Sequence, residues 1–155
     1  MNVTLLKSNL NDAETLWKMQ VTAFKDLLDT YQDYGTNPAS EKVDRTIERL
    51  SMPETYYYFI MCDDNVAGAI RVVDKKDNNI PKRISPLWVM PEYRGKGIAQ
   101  QAILKAEEFH GSDNWELSTI KEEKGNCYLY EKMGYKLTGE SQIINDKMTL
   151  VFYKK

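Results

Sequence analysis

The chain is predicted to fold as an α/β (α+β) domain in which helices cover a mainly antiparallel sheet. Two features carry that prediction. Apolar residues recur at helical spacing through the first fifty residues and again after residue 98, while residues 56–89 are dense in aromatic and β-branched side chains, which suit a pleated surface. Helices followed by strands and then by alternating elements pack as layers around one sheet. Of 155 residues 42% are apolar, enough for a core without disulfide or metal staples. No Gly/Ser linker, low-complexity tract or repeat divides them, so residues 1–155 are expected to form a single domain.

The elements follow in order. Asn11 with Glu14 three residues on matches a capping box, and Leu16, Met19, Ala23, Leu27 and Tyr31 then repeat at helical spacing, predicting a first helix over roughly Asp12 to Tyr34. Gly35 to Pro38 breaks it. Asn37 as cap, Pro38 in the first turn and the stripe Val43, Ile47, Leu50 predict a shorter helix ending before Pro53. Tyr56 to Cys62 and Val66 to Val73, separated by Asp63-Asp64-Asn65, read as a hairpin. After a polar loop, Arg83 to Val89 reads as a strand ending before Pro91. Ile98, Ala102, Ala106 and Phe109 mark a helix, Trp115 to Ile120 a strand, and Tyr128 to Met133 a short helix stopped by Gly134. Two last strands, Tyr135 to Gly139 and Met148 to Tyr153, flank a turn at Asn145 and Asp146.

Composition excludes several classes of function. With 21 Lys plus Arg against 23 Asp plus Glu the net charge is −2, so no global basic field attracts nucleic acid. Met1 to Leu10 carries Lys7 and several polar residues and has neither a signal-peptide core nor a membrane span. A cytoplasmic protein is expected, with no membrane partner. Cys62, Cys127 and the lone His110 cannot assemble a zinc site, so no metal is expected. Reduced thiols are the reading for both cysteines.

The chemistry lies in Leu87-Trp88-Val89-Met90-Pro91-Glu92-Tyr93-Arg94-Gly95-Lys96-Gly97-Ile98-Ala99, which reads as strand, Gly-rich turn and helix start. Such a turn exposes unpaired N–H groups at the positive end of a helix dipole and can bind a phosphate or pyrophosphate. Gly95 and Gly97 allow close backbone approach, and Arg94 and Lys96 add charge. By spacing alone an ordinary strand-to-helix turn is an equal reading. The segment is neither a P-loop nor the dinucleotide fingerprint.

Arg94-Gly95-Lys96-Gly97-Ile98-Ala99 resembles the Arg/Gln-x-x-Gly-x-Gly/Ala signature of the GNAT-type N-acetyltransferase superfamily. Upstream, Leu87 to Tyr93 resembles that family's strand ending in Val-x-Pro-Glu-Tyr. Downstream, Leu129-Tyr130-Glu131-Lys132-Met133-Gly134-Tyr135 resembles its Leu-Tyr-Glu-Lys-x-Gly-Phe/Tyr segment. Two motifs in the family's order are more specific than either alone. The resemblance implies a GNAT-like fold: a mainly antiparallel sheet of six to seven strands with a splayed central strand, flanked by about four helices. It also implies acetyl-CoA as acetyl donor, with the pyrophosphate on the amides of Arg94, Gly95, Lys96, Gly97, Ile98 and Ala99. The strand with Leu87 and Val89 would pair with the pantetheine arm, and the Val89 amide would hold the developing oxyanion. Pro86 fits a strand with disturbed pairing. Tyr130 matches the tyrosine that protonates the departing thiolate, though an aromatic helix also uses tyrosines in its core. Asn126 would cap its helix or reach the pantetheine amide. The chain departs from the pattern at Glu123, seven residues before Tyr130, where many members carry a pantetheine-binding Asn.

The activity implied is direct acetyl transfer to a primary amine of a small-molecule or peptide-like acceptor; a non-catalytic acyl-CoA-binding regulatory module is the alternative. An acyl-cysteine route through Cys127 lacks a histidine partner. For the acceptor, Asp26, Asp29, Asp33, Glu41, Asp44 and Glu48 against Lys42 and Arg45 make the first two helices acidic, either as an amine-attracting pocket or as solvated faces. Asp29, Tyr31 and Asp33 are the candidate acceptor residues, Tyr31 and Tyr34 able either to cradle an ammonium or to fill the core. Glu116, Glu122, Glu54, Asp33 or water remain open as the base, and His110 is expected at the surface or as a cap. Monomer and homodimer are both open.

Overall fold

The computed structural model describes residues 1–155. Seven strands, β1 (Val3–Lys7), β2 (Thr55–Cys62), β3 (Asn65–Val73), β4 (Lys82–Val89), β5 (Trp115–Ile120), β6 (Lys136–Ile143) and β7 (Thr149–Lys154), form one sheet in the order β1-β2-β3-β4-β5-β7-β6. Every neighbouring pair is antiparallel except β4 and β5. Four helices complete the chain: α1 (Ala13–Tyr31), α2 (Val43–Leu50), α3 (Ile98–His110) and α4 (Lys124–Lys132).

The alternation of β2 splits the core into two layers. Tyr58, Ile60 and Cys62 face a cluster that includes Ile98, Ala102, Ile103 and Ala106 of α3. Tyr57 and Phe59 face the other way, onto Leu16 and Ala23 of α1 with Ala69 and Trp88. Helices therefore sandwich the sheet. The β2–β3 hairpin closes through Asp63 and Asp64, both at positive φ (49° and 74°), where aspartate is tolerated better than most residues.

Several boundaries differ from the sequence reading. β1 was not expected; its Val3 reaches the core, but a short alternating strand at a chain end gives little periodic signal. The capping box at the start of α1 pairs Asn9 with Asp12 around a 3-10 turn, not Asn11 with Glu14. α1 ends at Tyr31 because Gln32 turns left-handed, at φ 54°. Asn37 caps only a 3-10 turn (Pro38–Ser40). α2 follows separately and buries Thr46 and Arg49 while Ile47 is exposed. Its inward face is polar because Arg49 grips Glu41 with both terminal nitrogens, at 2.8 and 2.9 Å.

His110 is neither at the surface nor a cap, since its side chain is 2% exposed. Its Nδ1 lies 2.8 Å from Asp74 Oδ2 and its Nε2 2.8 Å from the Tyr58 hydroxyl. The neutral ring that donates to Asp74 and accepts from Tyr58 satisfies all three groups. Burial lowers the His110 pKa, with the Asp74 hydrogen bond opposing it.

Candidate functional site

β4 and β5 are paired only at Lys82–Trp115 and Arg83–Glu116; past these residues they splay. On its other side β4 bulges against β3, with Ser85 and Pro86 opposite Arg71, between the pairs Ile70–Leu87 and Val72–Ile84. The Met90 N–H donates to Ala67 O at 2.8 Å, so strand alternation turns the Val89 N–H away from β3 and into the gap.

The chain then makes a 3-10 turn over Pro91–Tyr93 and enters α3 through Gly95 and Gly97, at φ 77° and 78°. At those angles any side chain is strained, which explains glycine at both. A Cβ on either would meet nothing within 4 Å, so the backbone there is open. Gly97 is the N-cap of α3 and contributes no side-chain cap. Gln101 is the first residue to donate into the helix, to Gly97 O at 3.2 Å, which leaves the amides of Ile98, Ala99 and Gln100 without intrahelical partners. No acidic residue occupies this first turn, and the positive end of the macrodipole is uncompensated.

These elements wall a cavity of about 780 Å³, within the size range of ligand sites. Leu87, Val89, Arg94, Gly95, Gly97, Ile98, Ala99, Asn126 and Tyr130 all line it; Lys96 does not. The Lys96 ammonium instead lies 5.7 Å from the Tyr93 ring centroid. The Arg94 guanidinium is also committed elsewhere: Nε donates to Val89 O and Nη2 to Ala23 O, both at 2.9 Å. Arg94 therefore ties the end of β4 to α1, and its own N–H donates to Pro91 O at 3.3 Å, so the amide expected from Arg94 in the cradle is already spent. Asn126 caps nothing, because Glu123 is the N-cap of α4. Tyr130 packs between the rings of Tyr135 and Tyr153, at centroid distances of 6.0 and 6.2 Å. Loss of hydration there, and then the nearby Cys127, push its phenol up to about 12.

None of the three expected acceptor residues lines this cavity. Asp29 is exposed and pairs with Lys25 at 3.3 Å. Asp33 is buried, accepting the Thr36 amide at 3.0 Å and the Thr36 hydroxyl, and so staples its own loop. Tyr31 is buried and donates to Glu123 Oε2 at 2.5 Å. That hydrogen bond, then burial, raises its pKa to about 12. Tyr34 is exposed. Of the carboxylates left open as the base, Glu116 pairs with Arg83 at 3.6 Å and Glu122 accepts the Thr149 amide at 2.9 Å, and neither these two nor Glu54 nor Asp33 lines the cavity. Sequence reasoning missed the α1 wall, Ala23, Phe24, Asp26 and Leu27, because helical spacing does not say which neighbour a face meets. It also gave Glu123 no role beyond a departure from the pattern. Cys127 Sγ lies 3.8 Å from the carbonyls of Ile120 and Lys121. No group of three or more His, Cys, Asp or Glu side chains could hold a metal ion, and no helix is long and apolar enough to cross a membrane.

Among solved structures, the chain is similar to the spermidine N-acetyltransferase of Vibrio cholerae in complex with CoA and spermine, at 16% identity and TM-score 0.74, covering 97% of this chain and 93% of that one. It is similar also to the PaiA N-acetyltransferase of Thermoplasma acidophilum in complex with coenzyme A, at 17% identity and TM-score 0.65 over the whole of both chains. A third is the microcin C7 self-immunity acetyltransferase MccE with acetyl-CoA and AMP, at 19% identity and TM-score 0.71, covering 99% and 91%. At these identities the likeness is one of fold. No curated protein sequence matches the chain. The profile of the acetyltransferase (GNAT) family matches residues 22–135, most of the chain and all of the strand, turn and helix that wall the cavity, and the chain belongs to that family.

Proposed function

We propose that this acetyltransferase moves an acetyl group from acetyl-CoA directly to a primary amine of a small-molecule or peptide-like acceptor, using the cavity between β4, α3 and α4. The observation that carries this reading is the row of open amides at the glycine-lined start of α3, aimed into a cavity whose other wall is the splayed edge of β4. Amides at a helix N-terminus suit a pyrophosphate. Leu87 and Val89 offer an unpaired strand edge to the amides of the pantetheine arm, as an added strand would pair. The Val89 N–H is the donor for the negative charge that develops on the thioester oxygen. One such donor contributes on the order of 10²–10³ in kcat.

Tyr130 supplies the proton for the departing thiolate. With its pKa raised to about 12, the phenol stays protonated throughout the physiological range, as a general acid must. The gap to a thiol, ordinarily about 8.5, has to be closed by the charge growing on sulfur. Asn126, on the same helix and lining the same cavity, is placed to accept or donate along the pantetheine arm. The two free thiols fit a cytoplasmic setting.

Titrating acetyl-CoA by calorimetry into the wild type and into Gly97→Val tests the cradle. The β-branched side chain strains a left-handed position and covers the amides. Binding by the wild type and none by a folded Gly97→Val is the expected result; equal binding by both rejects the cradle. Release of CoA thiol in the presence of a primary-amine panel then tests transfer.

A further inference from the structure

We infer that Glu123, held by Tyr31, is the carboxylate that faces the acceptor's nitrogen and takes its proton as the new N–C bond forms. The inference rests on the acetyl-transfer reading above and adds the group that reading lacks.

Asp26 and Glu123 are the only carboxylates among the residues that line the cavity. Asp26 is exposed on α1, whereas Glu123 is half-buried and fixed. Tyr31 donates to its Oε2 at 2.5 Å, which leaves Oε1 to accept from a ligand. The anchor is itself anchored: Asn145 Nδ2 donates to Tyr31 O at 2.9 Å, and Asn145 Oδ1 accepts from the amides of Lys147 and Met148 at 2.8 and 3.1 Å. The end of α1, the start of α4 and the β6–β7 turn are thus locked around one carboxylate.

Its position relative to Tyr130 matters as much. Glu123 is the N-cap of α4 and Tyr130 lies about two turns into that helix, and both line the same cavity. Helical side chains lean toward the N-terminus, and the long Tyr130 side chain leans toward the Glu123 end. The proton donor for sulfur and the acceptor from nitrogen then lie on the same wall. Where the family pattern has an asparagine, which can both donate and accept, a carboxylate can only accept when ionised. It suits an N–H group, not a carbonyl.

The neutral amine attacks the thioester carbon through its lone pair, the N–C bond forms, and positive charge grows on nitrogen. Glu123 Oε1 takes one proton from that nitrogen. The C–S bond breaks with its electron pair on sulfur, and the thiolate takes the Tyr130 proton. Solvent carries the Glu123 proton back to Tyr130, leaving the acetamide and the CoA thiol. A carboxylate at this point also repels acceptors that carry a carboxylate of their own, so the favoured class is amines without one.

The test compares the wild type with E123Q, using cadaverine and the amino acid in which a carboxylate replaces one of its amino groups. E123Q is expected to lose about 100-fold in kcat/KM for cadaverine, to bind cadaverine more weakly in calorimetry on the CoA-bound protein, and to lose most of the wild-type preference for the diamine. Its acetyl-CoA affinity is expected to stay within about twofold. E122Q, altered beside it at a carboxylate bound to the Thr149 amide, is the control. An E123Q kcat/KM within about twofold of the wild type, or a parallel loss of acetyl-CoA affinity, overturns the inference. Should E123Q fail to fold, Y31F, which keeps the carboxylate and removes its anchor, carries the test through the same readouts. A wild type that does not bind acetyl-CoA defeats the acetyl-transfer reading itself.

Discussion

Gly68 is where β3 and β4 come closest. A Cβ built on it would stand 2.1 Å from Trp88 O and 3.0 Å from both Trp88 C and Val89 Cα. Ordinary carbon–oxygen contacts begin near about 3.3 Å, so Gly68→Ala must move backbone by roughly 1.2 Å, with no flexible side chain to give way. Overpacking of this kind costs about 1–3 kcal/mol, and rigid backbone on both sides places this case near the top of that range. For a chain of this size about 3 kcal/mol lowers the melting temperature by roughly 6–12 °C, a large share of the usual 5–15 kcal/mol total, to order of magnitude. Gly125→Ala is the internal control, because its Cβ meets nothing within 4 Å and its φ is not positive; in α4 it should stabilise by about 0.5–1 kcal/mol. Urea unfolding followed by circular dichroism gives both values on one scale. The Trp88–Val89 carbonyl and Cα that must yield also set the cavity wall, so the alanine variant should bind acetyl-CoA more weakly even while folded. An unfolding midpoint for Gly68→Ala equal to that of the wild type would refute the reasoning.

Further predictions concern charge and chemistry. Burial holds the His110 pKa below its ordinary value, so the unfolded chain binds that proton first and stability falls as pH drops through about 6.5. Burial alone would raise Asp74, but hydrogen bonds from the Lys76 amide and from His110 outweigh it and hold it low, which adds a second loss at more acid pH. Replacing His110 by Gln should flatten the urea midpoint between about pH 7 and pH 5. Tyr130→Phe should lower kcat by about 100-fold with acetyl-CoA affinity unchanged, as stopped-flow thiol release would show. Asp33→Ala removes both partners of Thr36 and should cost about 1–3 kcal/mol in thermal unfolding. Asp29→Asn, exposed and outside the cavity, should leave the acceptor KM unchanged.

Much of the fold was legible because local chemistry and global packing agree in those segments. Gly95 and Gly97 announce left-handed backbone, Asp63-Asp64 a hairpin turn, and Gly134 the stop after α4, each by a requirement that few residues meet. The Ile98, Ala102, Ala106 spacing placed α3 on its core face for the same reason. α2 misled the reading because a buried Arg49 satisfied by Glu41 looks polar in sequence and an exposed Ile47 looks apolar. His110 misled it because its partners, Tyr58 and Asp74, lie 52 and 36 residues away.

The sequence by itself determined the strand, glycine turn and helix that form the cradle, since those depend on residues adjacent in the chain. It also determined the pairing of that cradle with the tyrosine helix, through two motifs in a fixed order. The tertiary structure alone decided what the charged and aromatic side chains face. It sent the Arg94 guanidinium to Val89 and Ala23 carbonyls, withdrew Asp33 into its own loop, and brought Tyr31 across 92 residues to Glu123. Contacts of that separation are set by how layers stack, and a periodic pattern records only that a face is buried, not what covers it.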